Sequence, residues 1–193
     1  MTGKELLAAL ELRDAVQSGH FILSSGRHSD RFIQKFRIFE DPPMAEAVGK
    51  ALADLLRPYQ ADVVVSAALG GILPGYIVAK YLGVRDIFIE KQADVPVLRR
   101  GFSLAAGERA LIVEDVLTTG KSSAEVAGVI TAAGADVAAI GTIVRRGTVE
   151  FPYPLVALLD LPLADYDADA CPLCRRGVPL QDPGSRRIAS LKR

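Results

Sequence analysis

Hydrophobic residues along this 193-residue chain follow two rhythms in turn. In 4–17, Leu6, Leu7, Leu10 and Ala15 recur at roughly helical spacing, and 45–56 repeats the signature through Val48, Ala51, Leu52, Leu55 and Leu56. Such spacing gathers apolar side chains on one stripe and predicts two amphipathic helices. Short β-branched runs follow at 62–66, 86–89, 110–113, 137–144 and 155–159, with helical stretches between them at 72–82 and 122–133. Apolar runs alternating with helices predict an α/β fold, a central mostly parallel sheet flanked by helices on both faces. Ligands of such sheets bind beyond the carboxyl ends of the strands. The loops after Ser66, Ile89, Val113 and Val144 are therefore expected to line one site. The length fits a single domain, 1–193, with room for a small appended subdomain.

Composition narrows the function classes. Half of the residues are apolar, enough for a sizeable core, and 23 Lys and Arg balance 23 Asp and Glu. Zero net charge argues against a nucleic-acid binder, which usually carries a basic surplus. The exception is the stretch from Cys171 onward, where Arg175, Arg176, Arg186, Arg187, Lys192 and Arg193 face one acid, Asp182; it reads as a solvated basic tail. The longest uncharged run, 63–79, contains Gly70, Gly71, Pro74 and Gly75 and reads as strand, turn and helix start, so no membrane association is expected. Two cysteines, and an opening Met1-Thr2-Gly3-Lys4-Glu5 without a secretory layout, point to a reducing cytoplasm.

The most informative segment follows the apolar run Ala110-Leu111-Ile112-Val113. Two acids, Glu114 and Asp115, come next, then Val116, Leu117, Thr118, Thr119, Gly120, Lys121, Ser122 and Ser123, leading into an alanine-rich helix. A helix N-terminus offers unpaired N–H groups and partial positive charge to a phosphate. Gly120 permits close backbone approach, and Thr118, Thr119, Ser122 and Ser123 add hydroxyl donors. Carboxylates would repel phosphate and are better read as acceptors for sugar hydroxyls. A strand ending in solvated acids, with Thr-Thr-Gly as a helix cap, is the plainer alternative. The complete order favours a ribose-phosphate site.

This segment closely resembles the 5-phosphoribosyl-1-pyrophosphate (PRPP) signature of type I phosphoribosyltransferases. The run from Gly19 through Ser25-Gly26-Arg27-His28-Ser29 to Phe36 is similar to the N-terminal motif of orotate phosphoribosyltransferases. Leu98-Arg99-Arg100-Gly101-Phe102, Cys171-Pro172-Leu173-Cys174 and Pro183-Gly184-Ser185-Arg186 match one bacterial and archaeal branch of that family. The resemblance implies the type I phosphoribosyltransferase fold with an N-terminal hood, mainly about 1–40, and 160–193 packing nearby. It implies transfer from PRPP to orotate with Mg²⁺, carried by the substrate, in a homodimer whose sites draw on both subunits. It assigns Arg146, Thr118, Ser25 and Phe32 to orotate, with Ile33 beside Phe32, and Leu69, Gly70 and Gly71 to a pyrophosphate loop. Arg145 stands where an aspartate is common, while Ser24 and Gly70 stand where relatives carry lysines. Two alternatives stay open: a phosphoribosyltransferase for another base, against which Ser25-Gly26-Arg27 argues, and a non-catalytic PRPP-sensing regulator.

Chemistry of the residues agrees with orotate. Its carboxylate suits a forked cation, and Arg145 and Arg146 follow the strand at 137–144. A solvated strand end is the plain alternative. The connection 91–108 is long for a compact domain and reads as a lid. Its cations Lys91, Arg99 and Arg100 are candidates, with Glu114 and Asp115, for catalysis, since charge grows on the leaving pyrophosphate. A basic hairpin with no ligand is the alternative there. Cys171-x-x-Cys174 reads as a turn with two thiols: structural zinc needs four ligands, and distant His20 and His28 are not expected to complete the set within one chain. Both histidines read as polar loop or surface residues, with His28 near enough to approach a substrate.

Overall fold

The computed structural model describes residues 1–23 and 25–183. The expectations for Ser24, for Gly184-Ser185-Arg186 and for the basic residues from Arg186 onward lie outside them.

Helix α1 (Gly3–Leu12) opens with a capping box: the Thr2 hydroxyl accepts from Glu5 N, and Glu5 accepts from Thr2 N. The helix expected over 4–17 stops early. Asp14 takes a left-handed φ of 51°, the chain reverses, and strand β1 (Val16–Ile22) begins. β1 pairs antiparallel with β2 (His28–Ile33). After the short α2 (Phe36–Phe39), Asp41 caps α3 (Pro42–Leu56), with Pro42 at a first-turn position where its missing N–H costs nothing.

From there the chain alternates. β3 (Val63–Ala67), α4 (Ile72–Leu82), β4 (Arg85–Gln92), β5 (Val95–Leu98), β6 (Arg109–Leu117), α5 (Lys121–Ala132), β7 (Asp136–Arg145) and β8 (Leu155–Asp160) follow in order. They build a six-stranded sheet ordered β5-β4-β3-β6-β7-β8, in which β5 alone is antiparallel. β9 (Asp165–Tyr166) joins β1 and β2 in a second, three-stranded sheet, and α6 (Pro172–Arg175) follows.

Burial on both faces follows the period-two rule. Val64, Leu111 and Val113 enter one core with Leu6, Leu10, Val48, Leu52 and Leu56 of α1 and α3. Val63, Val65, Ala110 and Ile112 enter the other, with Val126 and Ile130 of α5. Strand order reverses between β3 and β6, the position at which sheets of this kind place their ligand crevice.

The connection 91–108, expected to act as a lid, includes a β-hairpin. Ala93 and Asp94, both at positive φ, join β4 to β5 in a two-residue hairpin turn of the sort that suits strand twist.

Candidate active site

The crevice between β3 and β6 gathers most of the residues singled out from sequence. β6 runs on to Leu117, so Glu114 and Asp115 lie on the strand and not in the loop after it. Consecutive strand residues point to opposite faces. Glu114 therefore turns toward α5, where its Oε1 accepts from the buried Ser123 hydroxyl at 3.3 Å. Burial, helped by the neighbouring charge of Asp115, pushes its carboxyl up to about 7. Ser123 is thus committed to Glu114 rather than open to a phosphate.

Asp115 turns the other way. Its Oδ1 accepts from Val116 N at 2.6 Å, and its Oδ2 lies 2.5 Å from Lys35 Nζ. Gly70 closes over this pair: a Cβ there would stand 2.1 Å from Asp115 Oδ2 and 2.7 Å from Lys35 Nζ. Any side chain at 70 would collide with the ion pair. A cation from the segment after β2 thus occupies the space beside the missing side chain of Gly70. Sequence reasoning gave Lys35 no role. The available signal was that it is the one lysine between Gly19 and Glu40.

The loop after β3 runs Ala67-Ala68-Leu69-Gly70-Gly71 with a cis Ala68–Leu69 peptide. Gly71 is buried, Gly70 half-buried, and Leu69 exposed. After β6, Thr118, Thr119, Lys121 and Ser122 are exposed around the start of α5, and the Thr119 hydroxyl accepts from Lys121 N. Gly120 has φ +74°, and Phe151 Cζ and Val149 Cγ1 lie 2.6 and 2.7 Å from where a Cβ would be. Glycine is required there for both conformation and space. The α5 N-terminus is left open to an anion.

β7 brings the arginine pair to the same edge. Arg145 is opposite Asp160 on β8 and ion-pairs with it at 2.5 Å. Arg146 differs: its Nε is shut from solvent with no hydrogen-bond partner among the described residues. Burial lowers its guanidinium pKa, against a smaller opposing pull from Asp165. A cleft of about 410 Å³ opens here, lined by Arg145, Arg146, Gly147, Thr148, Asp160 and Pro162. Thr118 adjoins it, because Gly147 packs against the Thr118 carbonyl and Arg146 N donates to Leu117 O at 2.9 Å.

The remaining expected residues are more dispersed. Phe32 is half-buried and stacks with Phe21 at 5.7 Å, whereas Ile33, expected beside the base with it, points into the main core by strand alternation. Ser25 is exposed at the tip of the β1–β2 turn. Arg27 of that turn ion-pairs with Asp165 and Asp167, tying it to the segment that faces Arg146. In the hairpin, Lys91 pairs with Glu125 of α5 at 2.7 Å and Arg100 forks onto Glu90 at 2.8 and 2.9 Å, while Arg99 adds its field to Glu90.

His20 and His28 are the clearest departure from expectation. Both are buried; His20 meets the Cys171 and Cys174 thiols, and His28 meets that of Cys174. The sheet pairing of β1, β2 and β9 and the docking of α6 close a sequence separation that spacing alone could not.

Residues 37–154 match the model of the phosphoribosyl transferase domain. A curated orotate phosphoribosyltransferase of Thermotoga petrophila is 48% identical over 181 residues, covering 93% of this chain and 97% of the relative. This chain belongs to the orotate phosphoribosyltransferase family. A family member from Caldanaerobacter subterraneus is 42% identical over 190 residues, 97% of this chain and all 100% of the relative. The solved orotate phosphoribosyltransferase of Aeropyrum pernix superposes with a TM-score of 0.72 at 25% identity, over 81% of this chain and 93% of that one. The fold is thus the type I phosphoribosyltransferase fold, with a central mostly parallel sheet.

Proposed function

We propose that this chain transfers the 5-phosphoribosyl group of PRPP to N1 of orotate, giving orotidine 5′-monophosphate and pyrophosphate for pyrimidine synthesis. The observation that carries the choice of base is Arg146. A half-buried guanidinium at the ligand edge, its Nε shut from solvent and without a partner among the described residues, is an incomplete arrangement that a planar carboxylate completes. Thr118 adjoins the same cleft, and Ser25 and Phe32 are proposed to border the base from the β1–β2 sheet, the hood of this reading together with about 160–183.

The other roles follow from position. The open α5 N-terminus, with Thr119, Gly120, Lys121 and Ser122, takes the 5′-phosphate. Val116 and Leu117 carry the chain into that turn. Glu114 and Asp115 are proposed to hold the ribose hydroxyls, each exchanging its present partner, Ser123 or Lys35, to do so, and Leu69, Gly70 and Gly71 to present backbone to the pyrophosphate. The C1′–O bond to pyrophosphate breaks, its electron pair leaving with the pyrophosphate, as the C1′–N1 bond forms and the N1 proton passes to the departing pyrophosphate or to solvent. No protein nucleophile is used; the residues orient reactants and offset charge. Lys91, Arg99 and Arg100 of the hairpin are proposed to close over the leaving group.

The hard carboxylate oxygens of Glu114 and Asp115 suit Mg²⁺, but Asp115 is already paired with Lys35, so the ion is proposed to arrive on PRPP. There it would neutralise pyrophosphate charge. The proposal includes a homodimer, supported by the exposed Leu69, Leu73 and Tyr76 at the loop after β3 and along α4. It also includes a cytoplasmic setting, in keeping with two free thiols. No described helix is long and apolar enough to cross a membrane.

Incubation with PRPP, Mg²⁺ and each base in turn, following orotate loss by absorbance, tests the assignment. Turnover of orotate is expected. Turnover of hypoxanthine or uracil but not orotate would refute it, and PRPP binding without turnover on any base would identify a sensor.

A further inference from the structure

Four metal-ligating side chains converge where the three-stranded sheet meets α6: His20 on β1, His28 on β2, Cys171 at the N-terminal cap of α6 and Cys174 within it. One ligand atom from each lies within 4.8 Å of all the others. His20 Nε2 is 3.0 Å from His28 Nδ1, 3.5 Å from Cys171 Sγ and 3.7 Å from Cys174 Sγ, and Cys174 Sγ is 3.3 Å from His28 Nδ1. Tetrahedral zinc bonds sulfur at about 2.3 Å and imidazole nitrogen at about 2.0–2.1 Å, which sets neighbouring ligand atoms about 3.3–3.8 Å apart. Four of the cluster's six edges, at 3.0–3.7 Å, lie close to those values, and the other two lie within 4.8 Å.

The tautomer of His20 supports a cation. Its Nδ1 lies 2.7 Å from the Val178 carbonyl, which can only accept, so Nδ1 carries the proton and Nε2 presents a lone pair inward. That single lone pair faces three groups at once. The second imidazole nitrogen and the two sulfurs can each present an electron pair to the same point, and a cation at the centre satisfies all four ligands together. The bond from Nδ1–H to a backbone carbonyl is the outer contact that orients metal-bound histidines.

We propose that His20, His28, Cys171 and Cys174 bind one structural Zn²⁺ per chain. Two thiolates and two imidazoles in tetrahedral array select zinc over the hard Mg²⁺. With four protein ligands no coordination position is left for substrate, so the site is structural. It ties β1 and β2 to a segment some 150 residues later, as the 151-residue separation of His20 and Cys171 measures. The same segment runs beside β1, with Gln181 N donating to His20 O and Ile22 N to Gln181 O, and Arg27 holds Asp165 and Asp167. The metal thereby fastens the strap that carries Asp165 past Arg146. None of this depends on which base the enzyme takes.

The test is metal analysis and Co²⁺ titration of the full chain under thiol-reducing conditions. Expected are about one zinc per chain on isolation and, after exchange, the intense visible bands of four-coordinate cobalt with a thiolate-to-cobalt charge-transfer band. The charge-transfer band should weaken in Cys174→Ser and disappear in Cys171→Ser/Cys174→Ser. A zinc-selective chelator in excess Mg²⁺ should lower the melting temperature of the parent but not of the double variant. Should the variants fail to fold, the cobalt spectrum of the unaltered chain decides. A chain that takes up no metal when reduced, gives the pale spectrum of six-coordinate cobalt, or has Cys171 and Cys174 oxidised to each other without zinc overturns the proposal.

Discussion

Replacing Lys35 by methionine removes a charge while keeping most of the side chain's length. The ammonium sits 2.5 Å from Asp115 Oδ2, in a pair whose side chains are 34% and 5% exposed. Fully exposed pairs contribute about 0–1 kcal/mol, whereas breaking a buried pair costs about 3–5 kcal/mol because a charge is left unmatched. With one partner buried and the other a third exposed, the loss should be about 2 kcal/mol. A domain of this length moves about 2–4 °C per kcal/mol, so the melting temperature should fall by about 4–8 °C. Asp115→Asn combined with Lys35→Met closes a double-mutant cycle that isolates the pair from other effects of either change. If Lys35 also supplies the charge that a side chain at position 70 cannot, kcat/KM for PRPP should fall at least about tenfold, roughly 1.4 kcal/mol of transition-state stabilisation. A parent-like melting temperature with coupling below about 0.3 kcal/mol would refute the ion pair. A large stability loss with unchanged PRPP kinetics would leave the pair intact and remove its catalytic role.

Arg146→Met should raise the KM for orotate by about 10–150-fold, since hydrogen bonds to a charged group contribute about 1.5–3 kcal/mol, while the melting temperature of the ligand-free chain holds or rises because a sequestered charge is gone. Parallel loss of stability and affinity would point to a structural arginine instead. Glu114→Gln has a definite sign with pH. The folded pKa is raised from 4.5 to about 7, so below about pH 4.5 both states hold the proton and nothing is lost. Between those values the unfolded chain has released a proton the folded chain keeps, and stability falls as pH rises. Above about 7 the cost is complete, at most about 3 kcal/mol. The glutamine variant should therefore melt higher than the parent at about pH 8 and alike at about pH 4; equal melting at both would count against the raised pKa. Gly120→Ala places a side chain at φ +74° against Phe151 and Val149, and should weaken PRPP binding in calorimetry beyond the roughly 1–2 kcal/mol backbone strain shown by thermal melting.

What the sequence by itself determined was set by local rules. Apolar runs with helices between them are enough to require a sheet buried on both faces; the observed β4, β6, β7 and β8 contain the expected strands, and β3 is shifted by one residue from the expected 62–66. The order of strand, acid pair, Thr-Thr-Gly and helix is likewise contiguous, so a strand turning through Gly120 into a helix start was legible without coordinates. Continuation of β6 through the acids was not. Extending the strand by four residues past Val113 sends Glu114 and Asp115 to opposite faces, giving one a serine and the other a lysine. The end of α1 was missed because Asp14 turns left-handed, a cost that pairing of Val16 with Ile33 repays only once β2 is present. Only tertiary structure could decide which arginine of 145 and 146 is spoken for, since that depends on Asp160 lying opposite in register on β8. The same holds for Lys35 beside Gly70, and for two histidines meeting two cysteines across some 150 residues. Periodicity reports the faces a segment turns to its surroundings, whereas partners distant in sequence are chosen by the packing of those faces, and that is where this chain's charges and ligands find one another.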